Sequence, residues 1–479
     1  MAKPTRRTFI RWGVGAVAAG TIGRRRVRAQ DDGFDFGPEP MGRVESRPAT
    51  SIEASPLSVG FEVLDRKRFE PLRTYPHLAR LGAKWARCQT GWNRCERRKG
   101  DFDFRWLDDV VDSLRKIGVQ PWFNLGYGNK LYTPEKPGDT SVGWAPIFEP
   151  AAREGWLRFV RRLAHHFRDR VRHWEIWNEP NIRGFWKPRK PRPADYAALV
   201  AITAPEIRTR VPDAVIVGGA LAGIPIGYLR GCLEEGLADH VDKVSYHPYR
   251  PVPEAGYRSQ VQALRELLRP YGKHIALWQG ENGCPSRGGE GSVGALSNLD
   301  WNESRQAKWL LRRILADLCL DIELTSYFHT VDLVGYRGQT NFKGLLRGDD
   351  YTPKRAYGAY QCLCALFDAQ TRRQPELSLE LVGQKKVHLW DGGFVRRGRA
   401  LYAYWFPADL QKDWTPRRLT IRVTTSPRAA IRQPVLVDPM TRRLYPLEAA
   451  EAGERSMTFR DLPLLDYPLL VTDRAATGA

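Results

Sequence analysis

The chain has 479 residues, too many for one compact core of ordinary size, so one large domain and one smaller domain are expected. Hydrophobic residues make up 42% of the chain and aromatic residues 11%, which excludes an intrinsically disordered protein. The formal net charge is +21, but no helix-turn-helix, zinc-ligand or RNA-binding signature accompanies it, so no nucleic-acid partner is predicted.

The first 29 residues predict a twin-arginine signal peptide. Paired arginines, Arg6 and Arg7, precede a weakly apolar Gly/Ala-rich stretch from Trp12 to Ile22, and small residues near Ala29 offer a cleavage site. We expect export to the periplasm or the extracellular space; a basic disordered tail is the alternative. No cysteine follows the apolar stretch, so no membrane anchor is expected. Cleavage would remove eight basic residues and no acidic ones, which lowers the net charge from +21 to +13.

Residues 30–50 are rich in Gly, Pro and charge and predict a linker, and from residue 51 to 368 short β-rich runs alternate with helical patterns. The eight predicted strands are Leu57–Val63, Trp85–Gln89, Gln120–Leu125, His173–Trp177, Ala214–Gly218, Lys243–Tyr246, Ile275–Gln279 and Leu324–Phe328. Eight strand–helix repeats predict an α/β fold, a (β/α)8 TIM barrel that forms the catalytic domain. An open doubly wound sheet is the alternative, although no Gly-rich phosphate turn follows the first strand.

The pattern changes after a last helix that ends near Leu366. Short alternating segments follow, separated by turns rich in Gly, Pro and Asp. They are Val387–Trp390, Ala400–Phe406, Arg418–Val423, Ile431–Val437 and Leu469–Thr472. Residues 369–479 therefore predict a small all-β, sandwich-like accessory domain with a structural role.

Two glutamates follow apolar strand-like runs, Glu179 after the fourth predicted strand and Glu281 after the seventh. In a (β/α)8 barrel, functional residues lie at the C-terminal ends of the strands, where these two side chains would converge. Hydrolysis of a glycosidic bond needs such a pair, because one carboxyl protonates the leaving oxygen while the other attacks or stabilises the sugar carbon. A separation of about 5–5.5 Å would predict retention of configuration, and about 6.5–9.5 Å would predict inversion.

The segment around Glu179, Trp174-Glu175-Ile176-Trp177-Asn178-Glu179-Pro180-Asn181, resembles the acid/base motif of clan A retaining glycoside hydrolases. With Gly184-Phe185-Trp186-Lys187 after it, the segment is similar to glycoside hydrolase family 39, which includes β-xylosidases and α-iduronidases; family 5 is next. The resemblance covers roughly residues 55–367. It departs from the family at Gly280, where Thr or Ser is usual, and at Phe328, where the clan usually has a Trp under the reacting sugar.

This resemblance implies roles for individual residues. Glu179 would be the general acid and then the base, with a raised pKa, and Glu281 would be the nucleophile, with a pKa lowered by a nearby cation. The remaining implied site residues are Arg87 and Tyr249, which would hold Glu281, Asn178, which would bind the sugar 2-hydroxyl, and His247, which would line the reacting subsite. Aromatic rings stack on sugars, so Trp122, Trp186 and Phe328 are also expected to contact substrate.

The sequence thus predicts a secreted retaining glycoside hydrolase, β-xylosidase-like or β-glycosidase-like, that acts on a polysaccharide or oligosaccharide. The alternatives are a non-catalytic carbohydrate-binding protein on the same barrel, and a basic surface protein that binds acidic polymers. No metal or other cofactor is expected, because the mechanism needs none and the seven cysteines include no CxxC pair. The sugar, its anomeric configuration, exo or endo cleavage and the oligomeric state stay open.

Overall fold

The computed structural model describes residues 34–133, 141–271, 275–383 and 387–478. The predicted twin-arginine segment, 1–29, lies outside these residues, as do residues 30–33 of the predicted linker. Within the described ranges, no helix combines the length and the apolar character required to cross a membrane.

Eight parallel strands form a closed barrel, which confirms the predicted (β/α)8 fold. The strands are β1 Leu57–Gly60, β2 Trp85–Gln89, β3 Gln120–Leu125, β4 His173–Ile176, β5 Val215–Ala222, β6 Lys243–His247, β7 Ala276–Asn282 and β8 Leu324–Tyr327. They pair in chain order, and β8 closes the barrel on β1 through the register Thr325 to Leu57. Because both faces of such strands are covered, they appear in the sequence as nearly continuous apolar runs.

Amphipathic helices surround the barrel. The principal helices are Tyr75–Leu81, Arg105–Lys116, Pro150–Phe167, Pro193–Arg208, Ile226–Glu234, Tyr257–Leu268, Glu303–Cys319 and Arg355–Leu366. Each buries an apolar face; in Arg105–Lys116 this face consists of Leu107, Val110, Val111 and Leu114, at the spacing of helical turns. Shorter helices are Trp92–Cys95, Leu237–His240 and Arg474–Thr477, with 3-10 turns at Ala49–Ser51, Leu64–Arg66, Pro71–Arg73 and Arg269–Tyr271.

The C-terminal part of the chain is all-β up to its last short helix, as predicted. A seven-stranded sheet has the order Gly42–Arg43, Arg443–Pro446, Pro434–Asp438, Leu469–Asp473, Arg399–Trp405, Trp390–Arg396 and Thr371–Arg373. A four-stranded sheet has the order Leu379–Leu381, Arg417–Thr424, Ser456–Leu464 and Glu451–Ala452. Two small hairpins, Glu96–Arg98 with Asp101–Phe102 and Leu333–Tyr336 with Gln339–Asn341, complete the strands. Gly42–Arg43 belongs to the segment predicted as a linker, yet it pairs with the sheet edge.

A buried ion pair joins the barrel to the β-sheets. Arg312 donates to both carboxylate oxygens of Glu254, at 2.9 and 2.5 Å, and to the Ala408 carbonyl at 2.7 Å. Trp405 Nε1 donates to Glu254 Oε1 at 2.6 Å. A buried charge is tolerated only when it is paired and hydrogen-bonded, so these contacts hold the two parts in one geometry. The domain boundary at residue 368 stays a prediction.

All seven cysteines are buried free thiols, as predicted for most of them.

Candidate active site

Glu179 and Glu281 both lie close to the same nitrogen of His247. The Nδ1 atom of His247 is 3.1 Å from Glu179 Oε1 and 3.9 Å from Glu281 Oε2, so these two oxygens lie within about 7 Å of each other. Both carboxylates keep a small exposed fraction, 12% and 15% of the side chain. The structure therefore brings together the two glutamates that stand 102 positions apart in the sequence.

Local irregularities of the backbone lie at both glutamates and set the directions of their side chains. Trp177 and Glu179 have φ of 69° and 49°, in the left-handed region that residues other than glycine rarely adopt. The Glu179 amide donates to the Ala220 carbonyl at 2.7 Å, in the stretch where β5 shifts register against β6. On β7, the pairing with β8 shifts between Gln279 and Asn282, and Glu281 lies inside that shift. Such irregularities commonly redirect side chains at active sites.

Arg87 on β2 is fully buried and contacts four polar groups. Its Nη1 donates to Glu281 Oε2 at 2.6 Å and to Glu62 Oε1 at 3.1 Å. Its Nε and Nη2 donate to Glu175 Oε2 at 2.9 and 2.6 Å, and Nη2 also donates to Asn178 Oδ1 at 2.8 Å. One guanidinium thus fixes three carboxyl groups and an amide at the C-terminal ends of three strands, β1, β4 and β7.

The environment of Glu281 favours its ionised form. Burial raises the pKa of this carboxyl, but the charges of His247 and Arg87 outweigh burial, and the net effect lowers the pKa below its ordinary value of 4.5. The Tyr249 hydroxyl donates to Glu281 Oε1 at 2.9 Å and adds to this effect. Glu281 is therefore a carboxylate at neutral pH, which a nucleophile requires.

Glu175 is a buried structural partner of Arg87 and has no exposed surface. Besides Arg87, it accepts from Asn124 Nδ2 at 2.9 Å and from Ser245 Oγ at 2.5 Å. Gly280 packs directly against this pair: a Cβ atom there would lie 3.2 Å from Glu175 Oε1 and 3.3 Å from Ser245 Cβ. The glycine that departs from the family pattern therefore suits the close packing beside Glu281.

A cleft of about 350 Å³ opens above these groups, and Asn178, Glu179 and Glu281 line it. Its aromatic walls are Tyr127, Phe185, Phe328 and Tyr336, and its basic residues are Arg66, Arg68, Lys187 and Arg337. Phe328 lines this cleft, and its contact with substrate stays a prediction. His247 is fully buried beneath the cleft and reaches the site through Glu179.

Two predicted substrate contacts need correction, because Trp122 and Trp186 have no exposed surface. Trp122 points into the barrel core, where its ring centroid lies 5.2 Å from that of Trp278 and its Nε1 donates to Ser58 Oγ. Trp186 turns inward and packs edge-on against Trp177 at 6.0 Å. Both rings are therefore buried and have no exposed face on which a sugar could stack.

Glu62 is a site residue that sequence reasoning missed. It follows β1, is 1% exposed, and shares Arg87 with Glu281. The available signal was that Glu62 is the single charged residue in the apolar run Leu57–Val63. Its partner stands 25 positions away, so local sequence gives no hint of the pairing.

We expect Arg87→Met to destabilise the protein by about 3–5 kcal/mol, because Glu175 and Glu281 would lose the guanidinium that pairs with both, and Glu62 would lose its hydrogen-bond donor. Urea unfolding at pH 7 measures this change. Arg105→Met is the control, since Arg105 pairs with Asp103 on the surface and its loss should leave the midpoint unchanged. An Arg87 variant as stable as the Arg105 variant would contradict the role assigned to this guanidinium.

This fold and this arrangement of glutamates resemble those of the clan A glycoside hydrolases. Residues 83–270 match the family model described as Glycosyl hydrolases family 39, a range that contains Glu179 and ends before Glu281. The match confirms the predicted resemblance to family 39.

Curated relatives include a β-xylosidase of Geobacillus stearothermophilus, 28% identical over 161 residues. A β-xylosidase of Caldicellulosiruptor saccharolyticus is 27% identical over 165 residues. Each match covers 31% of this chain and spans only 31% of the length of the relative.

Solved structures share the fold over most of the chain. A family 39 glycoside hydrolase from Bacteroides cellulosilyticus WH2 has a TM-score of 0.63 at 20% identity, covering 89% of this chain and 81% of that one. A monomeric β-xylosidase from Caulobacter crescentus CB15 has a TM-score of 0.60 at 18% identity, covering 90% of this chain and 97% of that one.

Proposed function

We propose that this protein is an exported retaining glycoside hydrolase that cleaves O-glycosidic bonds in oligosaccharides or polysaccharides. The observation that carries the proposal is the placement of Glu179 and Glu281 on one cleft, with both carboxylates near His247 Nδ1. A β-xyloside is the first substrate to test, because two curated relatives are β-xylosidases. Export rests on the twin-arginine pattern of the sequence.

The first chemical step would form a glycosyl-enzyme. The Glu281 carboxylate attacks the anomeric carbon while the protonated Glu179 gives its proton to the glycosidic oxygen. The carbon–oxygen bond to the leaving group breaks, an ester bond to Glu281 forms, and the leaving group departs as an alcohol. Arg87 and Tyr249 support this step because they hold Glu281 ionised and in place.

The second step would release the sugar. Glu179, now a carboxylate, takes a proton from a water molecule, and the oxygen of that water attacks the anomeric carbon. The ester bond breaks, Glu281 returns to its ionised form, and Glu179 is again protonated. Two inversions at the same carbon retain the original configuration.

A substrate panel tests the proposal. The panel consists of 4-nitrophenyl xylosides, glucosides, mannosides and galactosides. We expect the processed chain to hydrolyse at least one of them, and we expect the β-xyloside to be hydrolysed. The Glu179→Gln/Glu281→Gln double variant is the control for background hydrolysis. Sugar binding without hydrolysis by the wild type would favour a carbohydrate-binding protein instead, and salt-sensitive binding of acidic polymers alone would favour a basic surface protein.

A further inference from the structure

Three carboxyl groups, those of Glu62, Glu175 and Glu281, pair with the one guanidinium of Arg87. Glu175 has two further donors in Asn124 and Ser245, and Glu281 is additionally supported by Tyr249 and His247. Even with the charge of His247 beside Glu281, three ionised carboxylates on one guanidinium would leave negative charge uncompensated, and Glu62 and Glu175 have almost no contact with water. The lowest free energy is therefore expected when one of the three carboxyl groups is protonated. The hydrogen bonds of each group indicate which one.

Glu62 has the weakest support for a negative charge. Its Oε1 accepts from Arg87 Nη1 at 3.1 Å, whereas its Oε2 has no hydrogen-bond partner among the residues that the structure describes. His329 Nε2 lies 3.6 Å from Oε2, but burial lowers the pKa of His329 to about 4, so this imidazole is neutral. Oε2 is thus the oxygen that can carry a proton.

The same nitrogen of Arg87 serves both Glu62 and the nucleophile. Nη1 has two hydrogens, and its two acceptors are Glu62 Oε1 at 3.1 Å and Glu281 Oε2 at 2.6 Å. A neutral carboxyl at position 62 is a weak acceptor, so the hydrogen bond that Arg87 Nη1 donates to Glu281 stays the stronger of the two. An ionised Glu62 would compete for Nη1 and repel the charge on Glu281.

The geometry points to Glu62 as a positioning residue for the hydrolytic reaction: as a carboxylic acid it holds Arg87 against Glu281, and its ionisation weakens that contact. This inference rests on the proposed function. Burial raises the pKa of Glu62 to about 8, against the opposing charge of Arg87 and together with repulsion from Glu281. The protein would therefore contain a built-in alkaline limit separate from the general acid Glu179.

Several charged and titratable groups face Glu62. They are Arg87 on β2, Glu281 on β7, His329 after β8 and Arg66 after β1, with Cys88 and Tyr249 at longer range. One further group titrates near the same pH: burial lowers the pKa of Lys343 to about 8, and its Nζ lies 5.8 Å from the centroid of the Tyr249 ring. A decisive experiment must separate Lys343 from Glu62.

The test measures kcat/KM from pH 5 to 9.5 for the 2,4-dinitrophenyl glycoside that the protein hydrolyses best. This leaving group departs without a proton, so the ionisation of Glu179 does not limit the rate that kcat/KM reports. We expect wild-type kcat/KM to fall about tenfold between pH 7 and 9, as the pKa of about 8 for Glu62 requires. Glu62→Gln, neutral at every pH and of the same shape, should stay within threefold of wild type at pH 6.5 and show no fall.

Two further variants complete the design. Glu62→Ala should lower kcat at every pH with little change in KM, because Arg87 loses a support, whereas Lys343→Met should keep the alkaline fall of the wild type. An alkaline fall that persists in Glu62→Gln, or that disappears in Lys343→Met alone, would overturn the inference while leaving the proposed function intact. A wild type that hydrolyses no aryl glycoside would overturn both.

Thermal unfolding gives a readout that needs no hydrolysis. The pKa of Glu62 in the folded protein, about 8, is above its ordinary value of 4.5, so the stability that its proton confers is complete below pH 4.5 and is lost as the pH rises through 8. The Tm of Glu62→Gln should therefore rise relative to wild type between pH 5 and 8 and then stay parallel to it. A Tm difference that does not change with pH would contradict a neutral Glu62.

Discussion

Replacement of Glu281 by Gln is expected to lower kcat/KM for glycoside hydrolysis by at least about 10⁴-fold, a loss of the size found when a covalent nucleophile is removed. The amide has no negative charge to attack the anomeric carbon, and no other described carboxylate touches both Arg87 and Tyr249. The fold should persist, because Gln has nearly the same shape: its oxygen can still accept from Arg87, and its NH2 group can donate to the Tyr249 hydroxyl oxygen.

Steady-state kinetics on the best aryl glycoside measures this effect, and circular dichroism checks the fold. Glu323→Gln is the matched control, since Glu323 lies just before β8 and pairs with Lys243 and Trp278, at the opposite end of the barrel from the cleft. Its hydrolysis should equal that of the wild type. Wild-type turnover by the Glu281 variant would show that another group is the nucleophile.

Glu179→Ala is expected to act selectively on substrates with poor leaving groups. A general acid contributes about 10²–10⁴-fold when the departing oxygen needs a proton, so hydrolysis of oligosaccharides should fall by about 10³-fold. For a 2,4-dinitrophenyl glycoside, whose leaving group is already stable as an anion, kcat/KM should fall less than about tenfold. A series of aryl glycosides with graded leaving-group pKa values measures the difference.

In that series, the logarithm of kcat/KM should depend steeply on leaving-group pKa in the Glu179 variant and weakly in the wild type. Asn181→Ala is a useful control, because Asn181 lies two residues away and bonds the Ala222 backbone, not the carboxylates. Equal losses on good and poor leaving groups would mean that Glu179 does not donate the proton.

The barrel was predictable because its strands obey a simple physical rule. A strand buried on both faces is largely apolar, and β2 and β3 were located to the residue even though each also carries polar side chains, such as Arg87 and Asn124. The strand Ser456–Leu464 was missed, since its sequence contains Arg460, Asp461 and Pro463 and lacks a clear alternation. It is stabilised by pairing with Arg417–Thr424, a partner distant in the sequence.

The site was predictable only where a residue's role follows from its position at a strand end. Glu179 and Glu281 come directly after apolar runs, and the barrel brings such positions together. The depth of a ring does not follow from the sequence: Trp122 points into the barrel because of the pleat of β3, and Trp186 turns inward within a loop. The role of Glu62 as a partner of Arg87 could not be predicted either, because Arg87 comes from another strand.

The most direct test of the central claim is to trap the covalent intermediate and locate it. A 2,4-dinitrophenyl 2-deoxy-2-fluoro glycoside of the preferred sugar should inactivate the enzyme, because the fluorine slows both steps while the leaving group preserves the first. Mass spectrometry of the digested protein should then find one fluoroglycosyl group, attached to the peptide that contains Glu281. An adduct on any other residue, or turnover with an inverted product and no adduct, would contradict the account.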